Sequence, residues 1–147
     1  MIKVKKIFVL IIAMILIASF LLSGCVDNKI YHWEFEKDYT EVAQIMIVDA
    51  TGPRNYTEIK SLDIGLVQNL MSDIENLEMN KYGWNLHNTH GKCFVIKFKN
   101  GDYDIIGRQE PMHCKYDEEG KIHAIISWLV CDADKFDELI NKYMEIE

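Results

Sequence analysis

The stretch Cys93–Gly107, "CFVIKFKNGDYDIIG", decides how this chain is read. Alternating apolar and polar residues on both sides of Asn100-Gly101 describe two strands joined by a tight turn. Asn-Gly is the favoured pair for a two-residue type I′ turn, in which both residues take positive φ. Such a turn fixes the register. It sets Lys99 against Asp102 and Lys97 against Asp104 on one face, and Phe98 against Tyr103 and Ile96 against Ile105 on the other. Opposite charges meet and apolar groups meet, as cross-strand stabilisation requires.

Downstream, "MHCKY" (112–116) and "KIHAIISWLVC" (121–131) flank the polar loop "DEEG" and read as a second hairpin. The returning strand is apolar on both faces, with Ala124, Ile126, Trp128 and Val130 on one and Ile125 and Leu129 on the other. That pattern predicts a central strand covered on at least part of both sides. The chain then closes in a helix, "DADKFDELINKYMEI". Phe136, Leu139, Ile140 and Tyr143 form its buried stripe, and Asp132 or Asp134 its cap.

Upstream, Trp33, Phe35, Val42, Ile45 and Ile47 lie along one long strand reading of "WEFEKDYTEVAQIMIVDA". "GPRN" (52–55) is a turn, and "YTEIKSL" (56–62) a short second strand. Ile64, Val67, Leu70, Met71, Ile74 and Leu77 then recur at helical spacing, with Ser61 or Asp63 as cap. The expected order is β-β-α-β-β-β-β-α, an α+β fold with two helices packed on an antiparallel sheet.

The amino-terminal end has a different character. "MIKVKK" carries three lysines and no acid, and Ile7–Leu22 is an uncharged apolar run of sixteen residues. A basic head and an apolar core form the layout of a secretory signal, and the core is short for a span, which takes roughly 20 residues. Leu22, Ser23, Gly24 and Cys25 close it. These four residues resemble the bacterial lipobox of prolipoproteins: an aliphatic residue, two small residues, then cysteine. The resemblance implies a diacylglyceryl thioether on Cys25 and cleavage between Gly24 and Cys25. Two acyl chains on one residue suffice for stable anchoring, since each buried CH₂ contributes about 0.8 kcal/mol. The organisation expected is a signal peptide at 1–24, the lipidated cysteine and a short tether at 25–31, and one α+β domain at 32–147. The layout also resembles small, largely uncharacterised lipoproteins of Gram-positive bacteria. An extracytoplasmic, membrane-tethered protein is the expectation that follows.

Without residues 1–24 the chain keeps 13 basic and 23 acidic residues, a formal net charge of −10. That balance repels nucleic acid and anionic headgroups. It leaves a cationic peptide or protein as the partner class suggested by charge. Three cysteines remain besides Cys25, so the chain is not a disulfide-stapled scaffold.

For chemistry, the densest cluster is His87, His90 and Cys93 in "LHNTHGKC", with His113 and Cys114 as a second pair. Imidazole and thiolate suit zinc or copper. The spacing matches no finger or knuckle, however, and Gly91 opposes a helix that would align the two histidines. "DADKFD" lacks the glycine and the spaced oxygens of a calcium loop. Ser72 and Ser127 lack a nucleophile-elbow context, and neither a P-loop nor a dinucleotide fingerprint is present. Trp84 is a loop aromatic that either contacts a ligand or folds over the core. No catalytic motif assembles, so the sequence reads as a non-enzymatic surface binding or accessory module of unspecified partner. A metal- or redox-active surface protein using the His and Cys residues is the alternative.

Overall fold

The computed structural model describes residues 29–81 and 90–146. The fold is α+β. Strands β1 (Val42–Gly52), β2 (Asn55–Leu62), β4 (Gly91–Phe98), β5 (Tyr103–Ile106), β6 (Met112–Tyr116) and β7 (Ile122–Ile126) form one antiparallel sheet in the order β2-β1-β4-β5-β6-β7. Two short strands, β3 (Met79–Lys81) and β8 (Leu129–Cys131), pair separately. Helix α1 is Val67–Glu75 and α2 is Ala133–Glu145.

The helices follow their stripes. Val67, Leu70, Met71 and Ile74 are the buried residues of α1, and Phe136, Leu139, Ile140 and Tyr143 those of α2. Asp132 caps α2 by accepting from the backbone N–H of Asp134 and Lys135, satisfying donors the helix cannot. Asp63 likewise accepts from Gly65 N–H and opens the 3₁₀ turn that leads into α1.

The first hairpin differs from expectation in its loop. Phe98 N–H donates to Asp102 and Gly101 N–H to Phe98, so the loop has three residues and only Gly101 is left-handed, at φ +96°. This is a type I turn closed by a glycine bulge, not the two-residue type I′ turn. Lys97 therefore faces Tyr103, Ile96 faces Asp104 and Val95 faces Ile105. One residue of slip turns a whole strand over. Asp104, expected on a charged face opposite Lys97, lies inside. The second hairpin repeats the device. Asp117 N–H donates to Lys121, Gly120 N–H donates to Asp117, and Gly120 is left-handed at φ +75°.

Two further expectations are corrected. Trp33 and Phe35 do not belong to β1. They sit on an extended arm joined by a reciprocal Tyr31–Met79 backbone pair, and a 3₁₀ turn capped by Asp38 separates that arm from β1. "KIHAIISWLVC" is two strands rather than one central strand. Trp128, at φ +60°, turns the chain out of the main sheet, so β7 is an edge and β8 joins β3.

The sheet has a core on each face. On one, Ile45, Ile47, Phe94, Ile96, Phe98 and Ile106 pack with Trp33, both helices and the small sheet. Phe94 meets Phe136 and Tyr143 edge-on, with centroids 6.2 and 5.8 Å away. On the other, Met46, Val48, Cys93, Val95, Tyr103, Ile105, Met112 and Cys114 form a core to which neither helix contributes. The sheet covers that face by curling on itself. Arg54, in the β1–β2 turn, donates to the Ile122 carbonyl on the far edge strand at 2.6 Å, and Tyr103 Oη donates to the Pro53 carbonyl at 2.9 Å.

The two loop types respond differently to substitution. Gly101→Val has open space for its side chain but must hold a left-handed backbone. It should cost on the order of 1–3 kcal/mol in a denaturant melt, and Gly120→Val a similar amount. Asn100→Ala should cost under about 1 kcal/mol, because Asn100 contributes only local hydrogen bonds to Asp102. A type I′ turn would penalise both loop positions.

Candidate functional site

Two places in the fold gather polar side chains at buried or concave positions. The first lies under the arm. Register carries Asp104 of β5 and His113 of β6 side by side, and Asp104 Oδ1 meets His113 Nδ1 at 2.8 Å. Asp104 is only 2% exposed, and its second oxygen has no hydrogen-bond partner. Trp33 lies over the imidazole, with centroids 4.3 Å apart and planes 31° from parallel. The indole is buried and its Nε1 also lacks a partner. Glu36–Lys115 at 2.5 Å and Lys37–Asp102 at 2.8 Å flank the stack and tie the arm to β6 and to the β4–β5 loop.

Burial pushes the Asp104 carboxyl above the ordinary aspartate range, against the opposing pull of His113 and with a small contribution from Glu36 in the same sense. Asp102 goes the other way. Burial alone would raise it, but hydrogen bonds from Lys37, Asn100 and the Tyr116 backbone hold it below its usual value. Two ion pairs hold the arm as a clamp over the Asp104–His113 hydrogen bond.

The second place is an open cleft of about 730 Å³ between α2 and the strand ends. His90, Gly91 and Lys92 form one wall, Arg108 and Gln109 another, and Phe136, Asp137, Ile140 and Asn141 of α2 the third. Among the described residues, no carboxylate pairs with Lys92 or Arg108. A smaller cleft between the helices, about 300 Å³, contains Lys142, which is already paired to Asp73 at 2.6 Å.

The expected metal ligands divide among these surroundings. His87 lies outside the described residues, as do Trp84, Gly24 and Cys25. His90 stands on the rim of the larger cleft. Cys93 and Cys114 are buried in the core inside the curled sheet. His113 follows the alternation of β6 to the opposite face, where Asp104 holds it. Among the described residues, no three His, Cys, Asp or Glu side chains converge as a metal site would require. All three described cysteines are free and buried. Burial pushes the Cys93 thiol up to about 12 and the Cys114 thiol up to about 11, so neither supplies thiolate near neutrality. No family model, curated protein or solved structure matches the chain.

Neither place was named from sequence in this form. The clamp depended on the true hairpin register. The cleft depends on strand ends and a helix that meet only in the folded chain.

The buried carboxyl and the buried thiols each have a measurable signature. In the unfolded chain Asp104 titrates at its ordinary value, while in the fold it holds its proton more tightly. Its contribution therefore favours folding at acid pH and is lost as pH rises through the raised pKa. Asp104→Asn removes that titration and keeps an acceptor for His113. The stability of Asp104→Asn relative to wild type should thus rise as pH climbs from the ordinary aspartate value through the raised one, and a flat difference would remove the assignment. The groups facing this position are His113 of β6 and Glu36 and Lys37 of the arm. Second, Cys93, Cys114 and Cys131 should resist iodoacetamide in the native protein and react together in denaturant, as counted by intact mass.

Proposed function

We propose that this chain is an extracytoplasmic lipoprotein, anchored through a lipid on Cys25 and acting as a non-enzymatic binding module. The observation that carries the reading is the run Leu22-Ser23-Gly24-Cys25 placed directly after sixteen uncharged apolar residues. The fold agrees with a tether at that end. Tyr31 is already hydrogen-bonded to Met79, so only the residues between Cys25 and Tyr31 separate a lipid from the first fixed point. At full extension that segment spans roughly 20 Å, which keeps the domain against the membrane surface. The binding half of the reading is supported by an open polar cleft with cations that no carboxylate among the described residues pairs. Among the described residues, Glu36, Asp73, Glu78 and Asp102 engage lysines in ion pairs.

Cys25→Ala should abolish both lipid attachment and removal of residues 1–24. Metabolic labelling with a fatty-acid probe measures the first, and intact mass the second. Equal labelling of variant and wild type overturns the anchor.

A further inference from the structure

The cleft between α2 and the ends of β4 and β5 has an unusual charge arrangement for so acidic a chain. Two cations, Lys92 and Arg108, face into it without a carboxylate partner among the described residues. Most other cations are engaged. Lys37, Lys115, Lys135 and Lys142 are in ion pairs, and Arg54, Lys60 and Lys99 hold backbone carbonyls. On the α2 side the cleft presents one carboxylate, Asp137, beside the amide of Asn141. Gln109 adds a second amide next to Arg108.

The Arg108 wall is held by unusual backbone. Arg108 accepts from Cys131 N–H at 2.8 Å, Gln109 bridges to Val130, and Glu110 donates to the Leu129 carbonyl at 2.7 Å. Glu110 follows directly at φ +52°, and Trp128, where the partner strand begins, is at φ +60°. Neither is glycine, and such conformations persist only where the surroundings enforce them. Glu110 is also buried, with one carboxylate oxygen unpartnered. Strain of this kind is a recurrent companion of binding sites, and here it sets the position of Arg108.

We propose that this cleft binds a small zwitterionic ligand, a free amino acid or short peptide, with its carboxylate on Arg108 and Lys92 and its ammonium on Asp137. The planar guanidinium fork matches a carboxylate, and Lys92 adds a point charge. Gln109 and Asn141 each offer a donor and an acceptor, the complement of a peptide group. The cleft volume of about 730 Å³ falls within the range of small-molecule sites. A polyanion is disfavoured by Asp137 in the wall and by the acidity of the chain as a whole. This inference deepens the binding-module half of the proposed function and does not depend on the lipid at Cys25.

The test is calorimetric titration of the full chain in detergent micelles with trialanine bearing free termini. Comparators are its N-acetyl form, its carboxamide form and inorganic phosphate. One-to-one saturable binding of trialanine is expected. It should weaken at least about tenfold on carboxamide formation or in Arg108→Ala, and comparably on N-acetylation or in Asp137→Asn. Arg108→Lys should bind with intermediate affinity, since charge remains and the fork is lost. Arg108 is exposed, so an unchanged melting temperature shows that the variant is folded. No saturation up to about 10 mM overturns the proposal, as does undiminished binding to Arg108→Ala or to the capped peptides. Phosphate binding as tight as trialanine would define a plain anion site and also overturn it. Lost peptide binding with fatty-acid labelling intact removes this inference alone. Lost labelling with peptide binding intact removes only the anchor.

Discussion

Gly101 adopts a left-handed backbone, and through it the β4–β5 loop takes three residues instead of two. That one residue sets which side chains of β5 face the helices. With it, Ile106 joins the helix-side core and Ile105 the core inside the curl. Asp104 is carried inward with Ile106, where His113 on the next strand meets it. A buried carboxylate needs such a partner, because leaving it without one costs far more than the pair contributes. The arm completes the arrangement by laying Trp33 over His113 and pairing Glu36 and Lys37 with β6 and the hairpin. The clamp is therefore a consequence of turn geometry more than of local sequence around the arm.

The helices were legible because their stripes are long and their caps are short-range. Val67 to Ile74 and Phe136 to Tyr143 need no tertiary information to be recognised, and Asp132 acts on its own next turn. The hairpin was legible as a hairpin but not in register. Asn100-Gly101 favours type I′ in isolation, and the register it implies also satisfies charge pairing, so two independent signals agreed on the wrong alignment. What decided otherwise is the burial of both faces of β5, a property of the whole sheet. The Trp128 turn left no mark in the sequence, since a tryptophan with positive φ is held by its surroundings and not by its own preference.

The sites were less legible for the same reason. Histidines and cysteines close in sequence suggested ligands, yet strand alternation sends His113 and Cys114 to opposite faces. Lys92 and Arg108 were unremarkable in the sequence. They become neighbours of one cleft because β4 and β5 are antiparallel, so the start of one strand adjoins the end of the other. Charge counting gave an acidic protein, which is correct on average and silent about where cations remain free of carboxylates.

The arm also has a mechanical consequence. A pull on the residues ahead of Lys29 enters the fold at the reciprocal Tyr31–Met79 pair and then runs along the arm. The Trp33 stack and the two ion pairs lie in series after it, fastened to β6 and the β4–β5 loop rather than to β1. A pull from this end therefore meets these contacts before it meets β1. Because Trp33 belongs to the helix-side core, lifting the arm past this point means drawing an indole out of that core, so the core itself resists the pull.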